Sequence, residues 1–260
     1  MRIARLGDGL FAATMIGLGI LGIVTGTFPP IWSGVAPTFP GREAIIDLSA
    51  AIALICGVGL LFTRTALIAA RVLLVYFALW FLVFRIPLIV KTPASSGAWW
   101  ACGATAVLAS AAWLLSKRFV GERNTRYAQM LYALGLIPFG VAHYTFLERT
   151  VAMVPSYLPW HTAFAYLTGA AFIAVGIAIL TGVYARIAAT FMVIQLALFT
   201  LLVWVPIILA HPGPSDWSEF IESITLLAAA WVVADSYLGL RWLAVRHARL
   251  ATQAPDAAPS

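Results

Sequence analysis

Charge is what this sequence has least of. Only 10% of its 260 residues are Asp, Glu, Lys or Arg, against about 25% in a soluble domain. A chain so short of charge cannot clothe a water-facing surface. Cysteine is nearly absent too: Cys56 and Cys102 stand alone, with no CxxC. That argues against a disulfide framework and against a cysteine metal knuckle. No haem, flavin or nucleotide motif occurs, and no strand-like alternation competes with the long apolar runs. The net charge of +6 comes from basic residues scattered between those runs. They form no patch, which excludes a nucleic-acid partner.

What fills the chain is apolar. Hydrophobic residues make up 62% and mean hydropathy is +0.96, so the bilayer is the expected partner. Eight segments approach the ~20 residues a span needs: Leu6–Thr27, Glu43–Phe62, Ala66–Val90, Ala98–Leu115, Tyr127–Phe146, Thr162–Leu180, Ala185–Leu209 and Glu219–Ala234. Helices are expected, because each satisfies its own backbone in lipid. The first segment, preceded by Arg2 and Arg5, has the outline of a signal peptide. It lacks a clear small-x-small cleavage site and matches the fifth segment, so it is expected to be retained.

The chain repeats itself. Gly140 lies 118 positions after Gly22, and Pro155 the same distance after Pro37. From Pro40 and Pro159 the offset is 119, through Gly57/Gly176, Pro87/Pro206 and Pro93/Pro212, returning to 118 at Trp99/Trp217 and Trp113/Trp231. Such a series reads as tandem duplication. The expected architecture is all-α: a polytopic membrane protein of eight transmembrane helices in two parallel four-helix repeats, residues 1–115 and 127–250. A polar linker, residues 116–126, joins them, and a disordered tail, 251–260, follows. Twelve cations (Arg2, Arg5, Arg64, Arg71, Lys117, Arg118, Arg123, Arg126, Arg186, Arg241, Arg246, Arg249) fall on one side, and Arg42, Arg85, Lys91 and Arg149 on the other. The positive-inside rule then places both termini in the cytoplasm, with a pseudo-two-fold along the membrane normal. Trp32 and Trp160, in the loops after segments 1 and 5, are expected at headgroup level.

Ionisable groups inside a membrane are costly and need a reason. In this topology His143, His161 and His211 share one mouth with Glu148, Asp216, Glu219 and Glu222. Glu219 and Glu222 are three apart and share a helix face. The first repeat lacks the set: Thr25, Thr92, Ala101 and Ala104 stand where His143, His211, Glu219 and Glu222 would. The second repeat is therefore expected to carry a binding site, with His161, Glu148 and Glu219 at its rim. If a divalent metal binds, His143, His211 and Glu222 are its expected ligands. The plainer alternative is a set of interfacial groups and helix caps. Asp47 and Arg85, both roughly 6–8 Å below the outer end of their helices, are expected to form a structural ion pair. Cys56 and Cys102 read as small apolar packers.

The stretch GVAHYTFLERTVAMVPSYLP, followed by AYLTGAAFIAVGIAIL, resembles the DoxX-like family of four-helix membrane proteins. Gly140, His143, Phe146, Met153, Val154, Pro155, Leu158, Pro159, Gly169 and Gly176 carry the resemblance. It covers Tyr127 to about Tyr237 and, more weakly, Leu6–Leu115, where Thr25 replaces the histidine. The resemblance implies a bacterial inner-membrane protein, and some members are linked to quinol oxidation or thiosulfate:quinone oxidoreduction. Three roles follow as expectations: an accessory subunit of a quinone-linked redox system with a membrane redox partner protein, a small transporter for a metal ion or small solute, or a structural membrane protein. Quinone and a divalent metal are the ligands these readings allow. The resemblance alone does not make the chain an enzyme.

Overall fold

The computed structural model describes residues 5–28, 32, 35–122, 124–210 and 212–244. These residues are helical throughout, with no strand among them. In chain order the helices are α1 (Leu6–Thr25), α2 (Arg42–Leu60), α3 (Ala66–Trp80), α4 (Ile86–Lys91), α5 (Ser96–Phe119), α6 (Arg126–Thr145), α7 (Leu147–Met153), α8 (His161–Thr181), α9 (Ala185–Phe199), α10 (Val205–Leu209) and α11 (Pro214–Asp235). A π turn, Phe81–Arg85, joins α3 to α4, and another, Thr200–Trp204, joins α9 to α10. Seven spans are long and apolar enough to cross a membrane. An eighth is reached if α6 and α7, which meet at 92°, count as one. The protein is thus built as a multi-pass membrane protein.

Local chemistry explains the ends. Gly26 terminates α1 with a left-handed backbone (φ 60°) and donates its N–H to the Gly22 carbonyl, a turn that a side chain would strain. The Ser95 hydroxyl accepts from the Ala98 N–H at 3.2 Å and opens α5. Lys117 and Arg118 close that helix where its dipole favours cations. The last span begins earlier than its hydropathy suggests: Pro214 occupies its first turn and the Asp216 carboxylate accepts from the Gly213 N–H at 2.8 Å. Polar N-terminal residues hid that turn from an apolar scan. The two π turns have a common cause. Pro87 and Pro206 lack an N–H and crowd the carbonyl four residues back, and the wider π turn accommodates both.

The spans close into a ring: α2 packs on α1, α1 on α11, α11 on α9, α9 on α8, α8 on α6, α6 on α5, α5 on α3, and α3 on α2. Helices α5 and α11 also touch across the middle. Small residues permit the closest crossings, as is usual where lipid removes the hydrophobic drive between helices. A Cβ on Gly103 would sit 2.5 Å from the Gly135 carbonyl oxygen, and one on Gly140 2.6 Å from that of Gly169. Both cysteines are free and buried.

One end of the ring is tied by charge. Arg118 bonds Asp8 through its guanidinium, lies 3.9 Å from the Asp235 carboxylate, and donates to the Val232 carbonyl at 3.1 Å. Arg5 donates to the Asp235 carbonyl at 2.7 Å. Residues from α1, α5 and α11 are thereby knotted together.

Candidate functional site

The other half of the bundle holds two buried charged groups from different halves of the chain. Arg85 ends the first π turn and is 0% exposed. Its Nε donates to the Thr105 hydroxyl on α5 at 3.0 Å, and Thr105 in turn donates to the Ala101 carbonyl. Glu222, two turns into α11, is 3% exposed, and neither carboxyl oxygen has a hydrogen-bond partner. The charges of Arg85 and Glu222 act on one another, and Cys102 and Tyr76 also lie within electrostatic reach of the guanidinium. Beside Glu222, Ser223 shares a 2.8 Å hydrogen bond with Thr200 at the start of the second π turn. Thr105 and Ser223 lie 118 positions apart, and each ties a central helix to a π turn.

An aromatic cluster adjoins Arg85 through Tyr76. The Tyr76 hydroxyl donates to Ser49 at 2.7 Å. Its ring meets Trp32 edge-on at 5.9 Å and Trp80 at 5.8 Å, and Trp80 packs on Phe84 at 4.5 Å and Phe28 at 5.6 Å. Trp32 and Trp80 are buried, and both indole N–H groups lack an acceptor. Buried polar groups are ordinarily satisfied, so the orphaned Glu222 carboxyl and the two orphaned indoles beside Tyr76 call for an explanation. Trp32, expected at headgroup level, is packed inside the protein and 1% exposed. Trp160, 80% exposed, does stand at the surface.

The Asp47–Arg85 pair is a correction. Asp47 is exposed on α2 while Arg85 is buried, and the described ion pairs do not include the two together. Matched depth along two helices says nothing about which way each side chain turns. The carboxyl that acts electrostatically on Arg85 is that of Glu222.

The other sequence candidates are dispersed. His143 is half-buried on α6, with Nδ1 2.7 Å from the Phe139 carbonyl and its ring 5.2 Å from that of Phe172. His161 begins α8, with Nε2 3.1 Å from the Pro155 carbonyl. Glu148 is exposed on α7. Glu219 lies 3.7 Å from Arg149, which is 76% exposed. His211 lies outside the described residues. α6, which carries His143, packs on α5 and α8, whereas α11, which carries Glu222, packs on α1, α5 and α9. Among the described residues no three His, Cys, Asp or Glu side chains group as metal ligands.

Sequence reasoning missed Tyr76, Trp80, Ser49 and Thr105, all from the half of the chain read as scaffold. Their signal was faint: Tyr76 and Trp80 stand four apart on one helix face, upstream of Arg85. The region brings together a buried guanidinium, an unsatisfied carboxyl within its electrostatic reach, and two indole donors in the aromatic cluster around Tyr76. That combination suits a flat ring bearing oxygens at its edge.

Comparison with known proteins gives no match: no family model, no curated protein and no solved structure aligns significantly with this chain.

Proposed function

We propose that this chain is a DoxX-like protein of the bacterial inner membrane, an accessory subunit of a quinone-linked redox system, whose Arg85–Glu222 site receives a quinone head group. The observation that carries the reading is Glu222, buried, within electrostatic reach of Arg85, and without a hydrogen-bond donor on either oxygen. A quinol hydroxyl would satisfy that carboxyl, and the guanidinium or an indole N–H would donate to a quinone carbonyl. Electron transfer itself would fall to a partner protein. The test is the quinone content of protein extracted together with its surrounding lipid. Enrichment over bulk lipid in the native chain, lost in Glu222→Gln, supports the reading, and equal content in both removes it.

The architecture proposed with it is two parallel four-helix repeats, residues 1–115 and 127–250, with both termini cytoplasmic. Helix starts at Arg42, Ala66 and Ile86 recur 119 positions later at His161, Ala185 and Val205, as do the bounds of the π turns. The packing pairs also exchange: α1 with α2 and α6 with α8, α1 with α11 and α6 with α5, α3 with α5 and α9 with α11. A reporter fused after Lys117 should read cytoplasmic, and a periplasmic signal would overturn this arrangement.

A second reading, a small-solute transporter, draws on the Pro-linked π turns in corresponding positions of the two halves, a pattern shared with the broken helices of transporters. Solute flux in vesicles without any bound quinone would favour it.

A further inference from the structure

The end of the bundle that carries Arg5 and Ala244 holds a cavity of about 220 Å³, remote from Glu222 and lined by Arg126, Gly182, Arg186, Tyr237 and Arg241 among others. Among the described residues three arginines line it and no carboxylate does. The nearby acidic groups, those of Asp8 and Asp235, are engaged by Arg118. The walls are fastened. The Tyr184 N–H donates to the Ala244 carbonyl at 3.1 Å, which ties the chain after α11 to the turn before α9. Arg186 stacks on Trp242 at 4.0 Å and bonds the Leu240 carbonyl. Arg126 caps α8 through the Ile179 and Leu180 carbonyls. Each guanidinium carries five N–H donors, so these contacts fix the arginines in place and leave donors over. Arg241 is exposed and makes no side-chain hydrogen bond among the described residues.

Two further features choose the ligand. Ala185 and Arg186 line the cavity at the start of α9, where unpaired N–H groups favour an anion. Around the mouth stand exposed Tyr127, Tyr184, Trp242 and Leu243, the residue types that settle where headgroups meet acyl chains. A fixed cluster of guanidinium groups at that level matches the phosphate of a lipid better than one free in water.

We infer that Arg126, Arg186 and Arg241 form a binding site for the phosphate headgroup of an anionic phospholipid. This inference is independent of the quinone reading. The full chain in neutral detergent is titrated with phosphatidylglycerol, with phosphatidylcholine of the same acyl chains, and with inorganic phosphate, and binding is read by native mass spectrometry and by the shift in melting temperature. Phosphatidylglycerol should bind and raise the melting temperature, and phosphatidylcholine should do neither. Arg241→Gln, an exposed change that leaves the fold intact, should weaken phosphatidylglycerol about fivefold, and adding Arg186→Gln should weaken it about 25-fold, at about 1 kcal/mol per basic group near a membrane surface. Equal binding of the two lipids, or unchanged affinity in both variants, overturns the inference. Stabilisation by inorganic phosphate alone, with the lipid adding nothing, overturns the lipid assignment.

Discussion

Glu222 and Arg85 are both buried and lie within electrostatic reach of one another, although one lies on α11 and the other at the end of the first π turn. Both are cut off from solvent, so each depends on the other more than an exposed pair would. A double-mutant cycle of Glu222→Gln and Arg85→Gln should give a coupling of about 1–3 kcal/mol in unfolding experiments. Additivity within about 0.5 kcal/mol would show that the two do not interact. Asp47→Asn, at an exposed site, should move stability by no more than about 0.5 kcal/mol.

The helix inventory was legible in the sequence because apolar runs and repeated Pro and Gly positions mark spans directly. Arg85 and Glu222 were legible as costly residues for the same reason. Their relationship was not. Depth follows from position along a helix, but azimuth and neighbour order follow from packing, and α11 reaches the first half of the chain by packing on α1 and α5. Asp47, at the right depth, turns outward. The burial of Trp32 was hidden likewise, since its place is set by Tyr76 on a helix not adjacent in sequence.

Gly103 should be among the least replaceable positions. A Cβ there meets the Gly135 carbonyl at 2.5 Å, and Gly135 meets the Gly103 carbonyl at 2.8 Å in return. Backbone cannot yield as a side chain can, so Gly103→Ala should cost about 1–3 kcal/mol. Gly97→Ala, whose nearest neighbour is the Ser95 hydroxyl at 3.8 Å, should be close to neutral. Thermal melts of the two variants separate them, and equal losses would contradict the α5–α6 crossing described.

Arg118 holds Asp8 and Asp235 together at the other end of the ring. Arg118→Gln strands two largely buried carboxylates and should cost about 3 kcal/mol. Arg149→Gln breaks only the exposed contact with Glu219 and should cost less than about 1 kcal/mol. Chemical unfolding of both variants checks the contrast, and comparable losses would mean that the Arg118 cluster is not the clamp its geometry indicates.

The proposed role rests on the Arg85–Glu222 pair and the aromatic cluster that adjoins Arg85 through Tyr76. Its most direct test is titration of the purified full chain with a short-chain quinone such as decylubiquinone, with quenching of tryptophan fluorescence as the readout, because Trp32 and Trp80 pack on Tyr76, which lies within electrostatic reach of Arg85. Saturable binding to the native chain is predicted, weakened about tenfold in Glu222→Gln and Arg85→Gln through loss of a charge-assisted hydrogen bond, and unchanged in Asp47→Asn. Absence of saturable binding, or equal affinity in all four proteins, would contradict the account.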